Sequence, residues 1–354
     1  MSLTYTAKTS ILRINSDAPE ADIIAIAADA IRVGKLVAFP TETVYGLGAN
    51  ALDSTAIDRI YQAKQRPASD PVIAHIATLD QLEQLTLSPP DIVYRLADAF
   101  WAGPLTLVLK RAPHIPPNIA TGMDTIAVRM PAHPVARALI EAAGCPIAAP
   151  SANTFTRPSA TTAAHVLEDL QGRIDIILDG GATTIGLEST VVDLTGETPT
   201  VLRPGGITID DLRSVIPNIL LKTQFTDRAT STSAPGQMLK HYSPRADVRL
   251  FSGEREAVLD AMLEMAHELC VEGKRVGVLI GEEDRAHFDN DIEIVTLGKR
   301  DDLATISHNL FAGMRHLDTL GVDVILAPDF GREGLGAAVW DRLRRAAEGQ
   351  VIEV

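Results

Sequence analysis

The sequence predicts an α/β protein in two parts, a first domain around a mixed sheet and a smaller C-terminal domain around a parallel one. Three observations predict it. Short apolar runs of strand length are interspersed, without strict alternation, among segments of helical period through the first part of the chain. A polar run, Thr226-Asp227-Arg228-Ala229-Thr230-Ser231-Thr232-Ser233, then shows no core face. Beyond it strands and helices alternate regularly, as in a parallel, Rossmann-like unit. At 354 residues the chain is long for one domain and fits two, each with its own core. The expected division is 1–221 for the first domain, 222–245 for a linker and 246–354 for the second.

Along the first domain, Ile24, Ala27, Ala28 and Ile31 recur at helical spacing, and Gly34 stands where a helix C-terminus needs glycine. Leu36–Phe39 reads as a buried strand closed by Pro40. Ile57, Ile60 and Tyr61 mark a second helix, opened by Asp53 or Ser54 and running out at Lys64-Gln65-Arg66-Pro67. Strands follow at Val72–Ile76, Leu105–Lys110, Thr125–Arg129, Pro146–Ala149, Ile174–Leu178, Thr190–Leu194 and Val201–Arg203. Helices are expected at Asp91–Phe100, Pro134–Ala143 and Thr162–Leu170. In the second domain the expected strands are Asp247–Phe251, Arg275–Ile280, Ile292–Thr296 and Val322–Leu326. Helices at Ala257–Cys270, Leu303–Leu320 and Gly336–Ala347 separate them.

Composition excludes several classes. The net charge of −14 argues against binding nucleic acid, tRNA included, by general electrostatics. The deficit is uneven: 246–354 holds 12 Lys+Arg against 22 Asp+Glu, leaving 20 against 24 in 1–245, so a local basic pocket fits the first domain. Cys145 and Cys270 have no metal or redox spacing and read as buried fillers. No basic-then-apolar leader and no membrane-length apolar run is present, and a cytoplasmic protein is expected.

Three constellations carry candidate chemistry. Phe39–Gly48 ends a strand in a polar turn, with Thr41 and Thr43 as hydrogen-bonding groups, Glu42 to fix their backbone, and Gly46 and Gly48 permitting close approach of a ligand. The alternative is an ordinary turn with capping threonines. Lys64-Gln65-Arg66, if extended, puts two cations on one face, which suits a polyphosphate. On local grounds alone it reads rather as a solvated helix C-terminus, where Lys and Arg favour the macrodipole. Asp70 and His75 would complete a polar rim. Pro150-Ser151-Ala152-Asn153, with Arg157 and Ser159 beyond, ends a strand where open α/β sheets hold ligands, although such loops are also plain turn chemistry. Arg129 and Arg203 each end an apolar strand, where arginine needs a partner. No Walker loop occurs, and Gly331-Arg332-Glu333-Gly334-Leu335-Gly336 reads as a helix cap. His241 and Tyr242 are unusual in a tether and point to a segment that docks.

The ordered set Phe39–Gly48, Lys64-x-Arg66-Pro67, Trp101-Ala102-Gly103-Pro104-Leu105-Thr106, Arg129-Met130-Pro131, Ser151-x-Asn153, Leu187-Glu188-Ser189-Thr190 and Leu202-Arg203-Pro204-Gly205 resembles the YrdC-like family. The phrase His241-Tyr242-Ser243-Pro244 and the C-terminal α/β domain resemble its two-domain branch. The resemblance implies a twisted mixed sheet around a concave cavity. It also implies a reaction in which L-threonine, bicarbonate (or CO2) and ATP, with Mg2+ carried by the ATP phosphates, give threonylcarbamoyl-adenylate and pyrophosphate. A tRNA threonylcarbamoyl transferase would then use the product beside the anticodon. By the same resemblance Lys64 and Arg66 are the catalytic cations, and Thr41, His75, Arg129, Ala149 and Ser189 hold threonine. Lys64, Ala68, Thr125, Ser151, Asn153, Ser159, Arg203, His241 and Tyr242 hold the nucleotide, the linker acting as a lid. Three positions depart from the family pattern: Asp70 for asparagine, Ala102 for proline, and Leu239 for an aromatic found in some relatives.

Overall fold

The computed structural model describes residues 8–67, 69–222, 241–289 and 291–354. Its contacts group the chain into two compact units. The first comprises the described residues up to Phe155, Ser159–Thr184, and Glu188 to residue 222. The second comprises Thr156–Pro158, Ile185–Leu187 and the described residues from His241 onward.

In chain order the first unit holds β1 (Ser10–Arg13), α1 (Ala21–Arg32), β2 (Val37–Phe39), β3 (Gly46–Asn50), α2 (Ser54–Lys64), β4 (Ile73–His75), α3 (Leu79–Leu85) and α4 (Asp91–Phe100). It continues with β5 (Leu105–Lys110), β6 (Thr125–Arg129), α5 (Pro134–Ala143), β7 (Ile147–Ala148), α6 (Ala163–Leu170), β8 (Ile176–Asp179), β9 (Thr190–Asp193), β10 (Thr200–Arg203), α7 (Ile209–Val215) and β11 (Leu220–Leu221). The strands form one mixed sheet in the order β1-β8-β2-β3-β7-β4-β6-β5-β9-β10-β11.

Register determines which side chains share a face, because paired residues point to the same side and neighbours along a strand to opposite sides. One register row, Ala49–Ala148–Ala74–Val128–Leu107–Val192–Val201, is apolar throughout and faces the larger core. That core takes Ile57 and Ile60 of α2, Leu82 of α3, Val93 and Leu96 of α4, and Val166 of α6. The next row, Ile147–His75–Arg129–Thr106–Val191–Arg203, lies on the other face and is largely polar. On that face α1 and α5 cover only one side of the sheet, packing Ile24, Ala28, Val135 and Leu139 on Val37, Phe39, Ile147 and Leu178. Farther along, the small cluster Ile73, Val108, Ala127, Val191 and Leu202 comes from strands alone. The polar row runs beside it.

The second unit holds β12 (Asp247–Ser252), α8 (Arg255–Val271), β13 (Val276–Ile280), β14 (Glu293–Thr296), α9 (Leu303–Leu320), β15 (Val324–Pro328), α10 (Gly336–Ala346) and β16 (Val351–Glu353). All its strand pairs are parallel, in the order β14-β13-β15-β12-β16. Val258, Leu259, Met262 and Ala266 of α8 pack on Phe251, Val278 and Leu326, while α9 and α10 pack against each other. No helix among the described residues is long and apolar enough to cross a membrane.

Candidate active site

Two cations meet the mid-chain loop at the end of α2. Asp53 caps this helix by accepting from the N–H groups of Thr55 and Ala56, and Gln65 ends it in the left-handed region at φ 54°. Lys64 is thus the last helical residue, where the dipole favours a positive charge. Its ammonium is buried and donates to the carbonyl oxygens of Ser151 and Asn153, while Phe155 N–H returns to Lys64 O at 2.9 Å. Arg66 is buried as well. It pairs with the Asp70 carboxylate at 2.8 Å, donates to the carbonyls of Asp70 and Pro71, and lies 5.9 Å from the Phe155 ring centre. Neither sequence reading of this segment holds: it is not an extended pair on one face, nor a solvated helix end. The turn at Gln65 sends both cations inward. Asp70 is Arg66's partner rather than part of an open rim.

Arg129, at the end of β6, organises the polar row. Its Nη2 lies 2.6 Å from Glu42 Oε1, its Nη1 donates to Thr43 Oγ1 at 2.8 Å and its Nε to Gly103 O at 3.2 Å. Each terminal nitrogen keeps a further hydrogen for a second acceptor. Glu42 also accepts from Ala132 N–H, so it fixes the residue after the strand as well as the guanidinium. Thr41 Oγ1 lies 2.8 Å from Thr43 Oγ1 and donates to Val44 O, making the turn a closed hydroxyl cluster. Opposite, Thr106 Oγ1 sits 2.7 Å from Ser189 Oγ, and Arg203 donates to Ser189 O and Oγ. Gly205 permits this approach, because a Cβ there would lie 2.4 Å from Glu188 O and Thr190 N. Ser159 Oγ donates to the Glu188 carboxylate. Thr106 and Glu188 were missed as individual site residues. The signal for Thr106 was a lone polar side chain in the apolar run Leu105–Leu109.

Other expected residues stand elsewhere or act differently. Thr125 begins β6 opposite Lys110, at the far end of the strand from Arg129. Ala149 is buried and donates its N–H to Ile73 O. Gly46 and Gly48 lie within β3, and a Cβ on Gly48 would meet the Phe39 ring at 2.8 Å and Ile147 at 2.9 Å. Those glycines make room for Phe39 and not for a ligand. Ser151 bridges to Gly46. Arg157, Tyr242 and His241 belong to the second unit, where Arg157 pairs with Asp318 at 3.0 Å. There Tyr242 stacks on Phe311 with ring centres 5.3 Å apart, and the Arg342 guanidinium carbon lies 5.3 Å from the Tyr242 ring centre. Ala68, Leu239 and most of the expected linker lie outside the described residues. Among the described residues no group of three or more His, Cys, Asp and Glu side chains could hold a metal ion.

His75 carries a testable electrostatic signature. Burial, and then the Arg129 charge, lower its pKa from the ordinary 6.5 to about 3, so the ring stays neutral. As pH falls below 6.5 the unfolded chain takes up a proton that the folded chain refuses, and stability is lost by up to about 1.4 kcal/mol per pH unit. Above 6.5 both states are neutral and the contribution is flat. His75→Gln should therefore flatten the decline between about pH 7 and pH 5 in urea unfolding relative to the parent. Identical declines in the two proteins would contradict a buried neutral imidazole.

Buried arginines, a lysine-held loop and hydroxyls on one mixed-sheet domain give an α/β protein with a polar candidate active site. Comparison with known proteins gives the family. A family model described as "Telomere recombination" (Sua5–YciO–YrdC) matches residues 29–205, and one described as "Threonylcarbamoyl-AMP synthase, C-terminal domain" matches 207–348. The chain belongs to the Sua5–YciO–YrdC family. The threonylcarbamoyl-AMP synthase of Pyrococcus abyssi is 49% identical over 94% of this chain and 96% of its own length, and that of Bacillus subtilis 43% over 93% and 94%. The crystal structure of P. abyssi Sua5 complexed with L-threonine matches with a TM-score of 0.92 at 47% identity, covering 97% of this chain and 99% of that one.

Proposed function

We propose that the chain condenses L-threonine, bicarbonate and ATP into L-threonylcarbamoyl-adenylate and pyrophosphate, the first step of threonylcarbamoyladenosine formation in tRNA. The observation that carries this reading is the junction of Lys64 with the carbonyls of Ser151 and Asn153, beside a sheet face bearing Arg129, His75 and Arg203. The relatives named threonylcarbamoyl-AMP synthase support it, as does the threonine complex of the P. abyssi protein.

In the proposed reaction the threonine amine nitrogen attacks the carbon of CO2, formed from bicarbonate, and loses a proton to give a carbamate. A carbamate oxygen then attacks the α-phosphorus of ATP. The new O–P bond forms as the bond to the bridging α–β oxygen breaks, and pyrophosphate departs with that electron pair. No covalent enzyme intermediate is required, so catalysis rests on alignment and charge. Arg129 takes the threonine carboxylate on its remaining hydrogens, and Thr41 and Ser189 face the other polar groups, with His75 and Ala149 shaping the pocket. Lys64 and Arg66 meet the phosphates, and Mg2+ enters as part of the MgATP substrate. Ser151, Asn153, Ser159 and Arg203 hold the nucleotide. The enzyme works in the cytoplasm and passes its product to a tRNA threonylcarbamoyl transferase.

Pyrophosphate release from ATP, Mg2+ and bicarbonate tests the reading. Release should require L-threonine, and release at the same rate without it would refute the assignment.

A further inference from the structure

A second polar centre lies wholly within the second unit, at the carboxyl ends of its parallel strands. There β12 and β15 are hydrogen-bonded neighbours, yet the chain leaves β12 toward β13 on one side and β15 toward β16 on the other. The connecting helices take opposite faces. Helix α8 packs on Val278, whereas a Cβ on Gly277, the preceding residue of β13, would meet Leu317 of α9 at 2.7 Å, and α10 packs on α9. Such a reversal leaves a crevice outside the strand ends, the place where open parallel sheets take ligands.

The side chains delivered to it form a closed ring. Arg255, Asp284, Arg300 and Arg332 come from the segments that follow β12, β13, β14 and β15 in turn. Asp284, fully buried, takes Arg255 on one carboxylate oxygen at 2.6 Å and Arg300 on the other at 2.9 Å. Arg300 also donates to the Asp329 carbonyl at 3.1 Å, and Arg332 pairs with the Asp329 carboxylate at 3.0 Å. Arg332 then donates to Ser252 Oγ at 2.6 Å, which closes the ring at the last residue of β12. The glycine-rich segment 331–336 is therefore more than a helix cap. Gly331 adopts φ +104°, with open space where a Cβ would stand, and the next residue, Arg332, reaches back to the strand ends.

Charge and unused donors identify what the ring can take. It sets three guanidinium groups against two carboxylates, in a domain whose overall charge is negative. Of the carboxylates beside it in sequence, Glu254, Glu283 and Asp302 accept from backbone N–H groups. Nη1 of Arg255 and Nη1 of Arg332 have no partner among the described residues, and both side chains are half-exposed. Guanidinium groups oriented by carboxylates and still offering paired N–H donors match phosphate oxygens. The Trp340 face on this side is taken by Arg332, whose guanidinium carbon lies 4.0 Å from the ring centre, so a base gains no stacking surface from it.

The geometry points to a phosphate-anion site at Ser252, Arg255, Arg300 and Arg332, one that takes pyrophosphate, free or as part of a nucleotide, through its charge and oxygens alone. The site is built by the second unit's own residues and does not depend on the reaction proposed above.

Calorimetric titration of the full-length chain with inorganic pyrophosphate tests it. In Lys64→Ala protein, which lacks the first unit's ammonium, one binding event should persist, and adding Arg332→Gln or Arg255→Gln should weaken it by about tenfold or more. Arg332→Lys, which keeps the charge but not the fork, should fall between. Asp329 retains the Gly331 N–H at 2.7 Å in the Arg332 variants, so the unfolding temperature without ligand should shift by no more than about 2 °C. ADP, titrated in the same protein, separates a free diphosphate from one carried by a nucleoside. Binding equal to or weaker than that of pyrophosphate agrees with recognition of the phosphates alone, and tighter binding would show that the nucleoside is read and overturn the assignment. No pyrophosphate binding in Lys64→Ala protein, or binding there that both arginine substitutions leave unchanged, would also overturn it. Loss of threonine-dependent turnover in the parent would count against the reaction and leave this site standing.

Discussion

Lys64→Ala should lower kcat/KM for ATP by on the order of 10²–10³-fold, the largest loss expected from any single side chain at the site. The ammonium sits at the C-terminus of α2 and holds the Ser151 and Asn153 carbonyls, so in the proposed reaction it would supply phosphate charge as well as loop position. Its removal also leaves two inward-facing acceptors without that donor, at a cost of about 1–3 kcal/mol in stability. The two losses are separable. Lys64→Gln retains a shorter donor for one carbonyl and should recover much of the melting temperature without recovering turnover. Steady-state pyrophosphate release and thermal unfolding, measured on both variants, test this. Wild-type turnover in either one would remove Lys64 from the chemistry.

Most of the fold was legible because its elements carry strong local signals. Asp91–Phe100 and Pro134–Ala143 were bounded by proline starts and apolar period, and both stand as expected. The strand β3 was missed because glycines at 46 and 48 argue against a strand, and their reason is tertiary: the Phe39 ring packs across them. The seven-residue helices α3 and α7, the two-residue strand β11 and the edge strands β1 and β16 carry too few residues for a periodic signal. Their existence depends on neighbours far away in sequence.

The site divides along the same line. Residue types were readable: cations near 64–66, hydroxyls and an amide near 151–159, arginines at strand ends. Partnership was not. That Asp70 neutralises Arg66, that Glu42 neutralises Arg129 and that Arg157 turns to Asp318 all depend on register and loop path. A sequence shows where a charge is but not which opposite charge the fold delivers to it. The consequence is chemical, since Arg66 and Arg129, the arginines proposed to meet phosphate and threonine, each arrive with a carboxylate already attached. In the proposed reaction substrate anions would therefore meet guanidinium groups fixed in orientation but partly neutralised, which favours geometric selection over raw attraction.

Arg129 shows how that pairing can be tested. Arg129→Gln should raise KM for L-threonine by about 10²-fold or more, since a charged, hydrogen-bonded contact to a carboxylate is lost. It should also destabilise the protein by about 3 kcal/mol, because Glu42, only 10% exposed along its side chain, is left as an uncompensated buried charge. Adding Glu42→Gln removes that stranded charge while keeping an acceptor for Ala132 N–H. The double variant should regain most of the unfolding free energy in urea yet remain as poor for threonine as the single. Stability restored without threonine affinity would separate Arg129's structural pairing from its substrate contact. Threonine affinity returning together with stability would mean that Arg129 only supports the turn at Thr41–Val44 and that the carboxylate is held elsewhere.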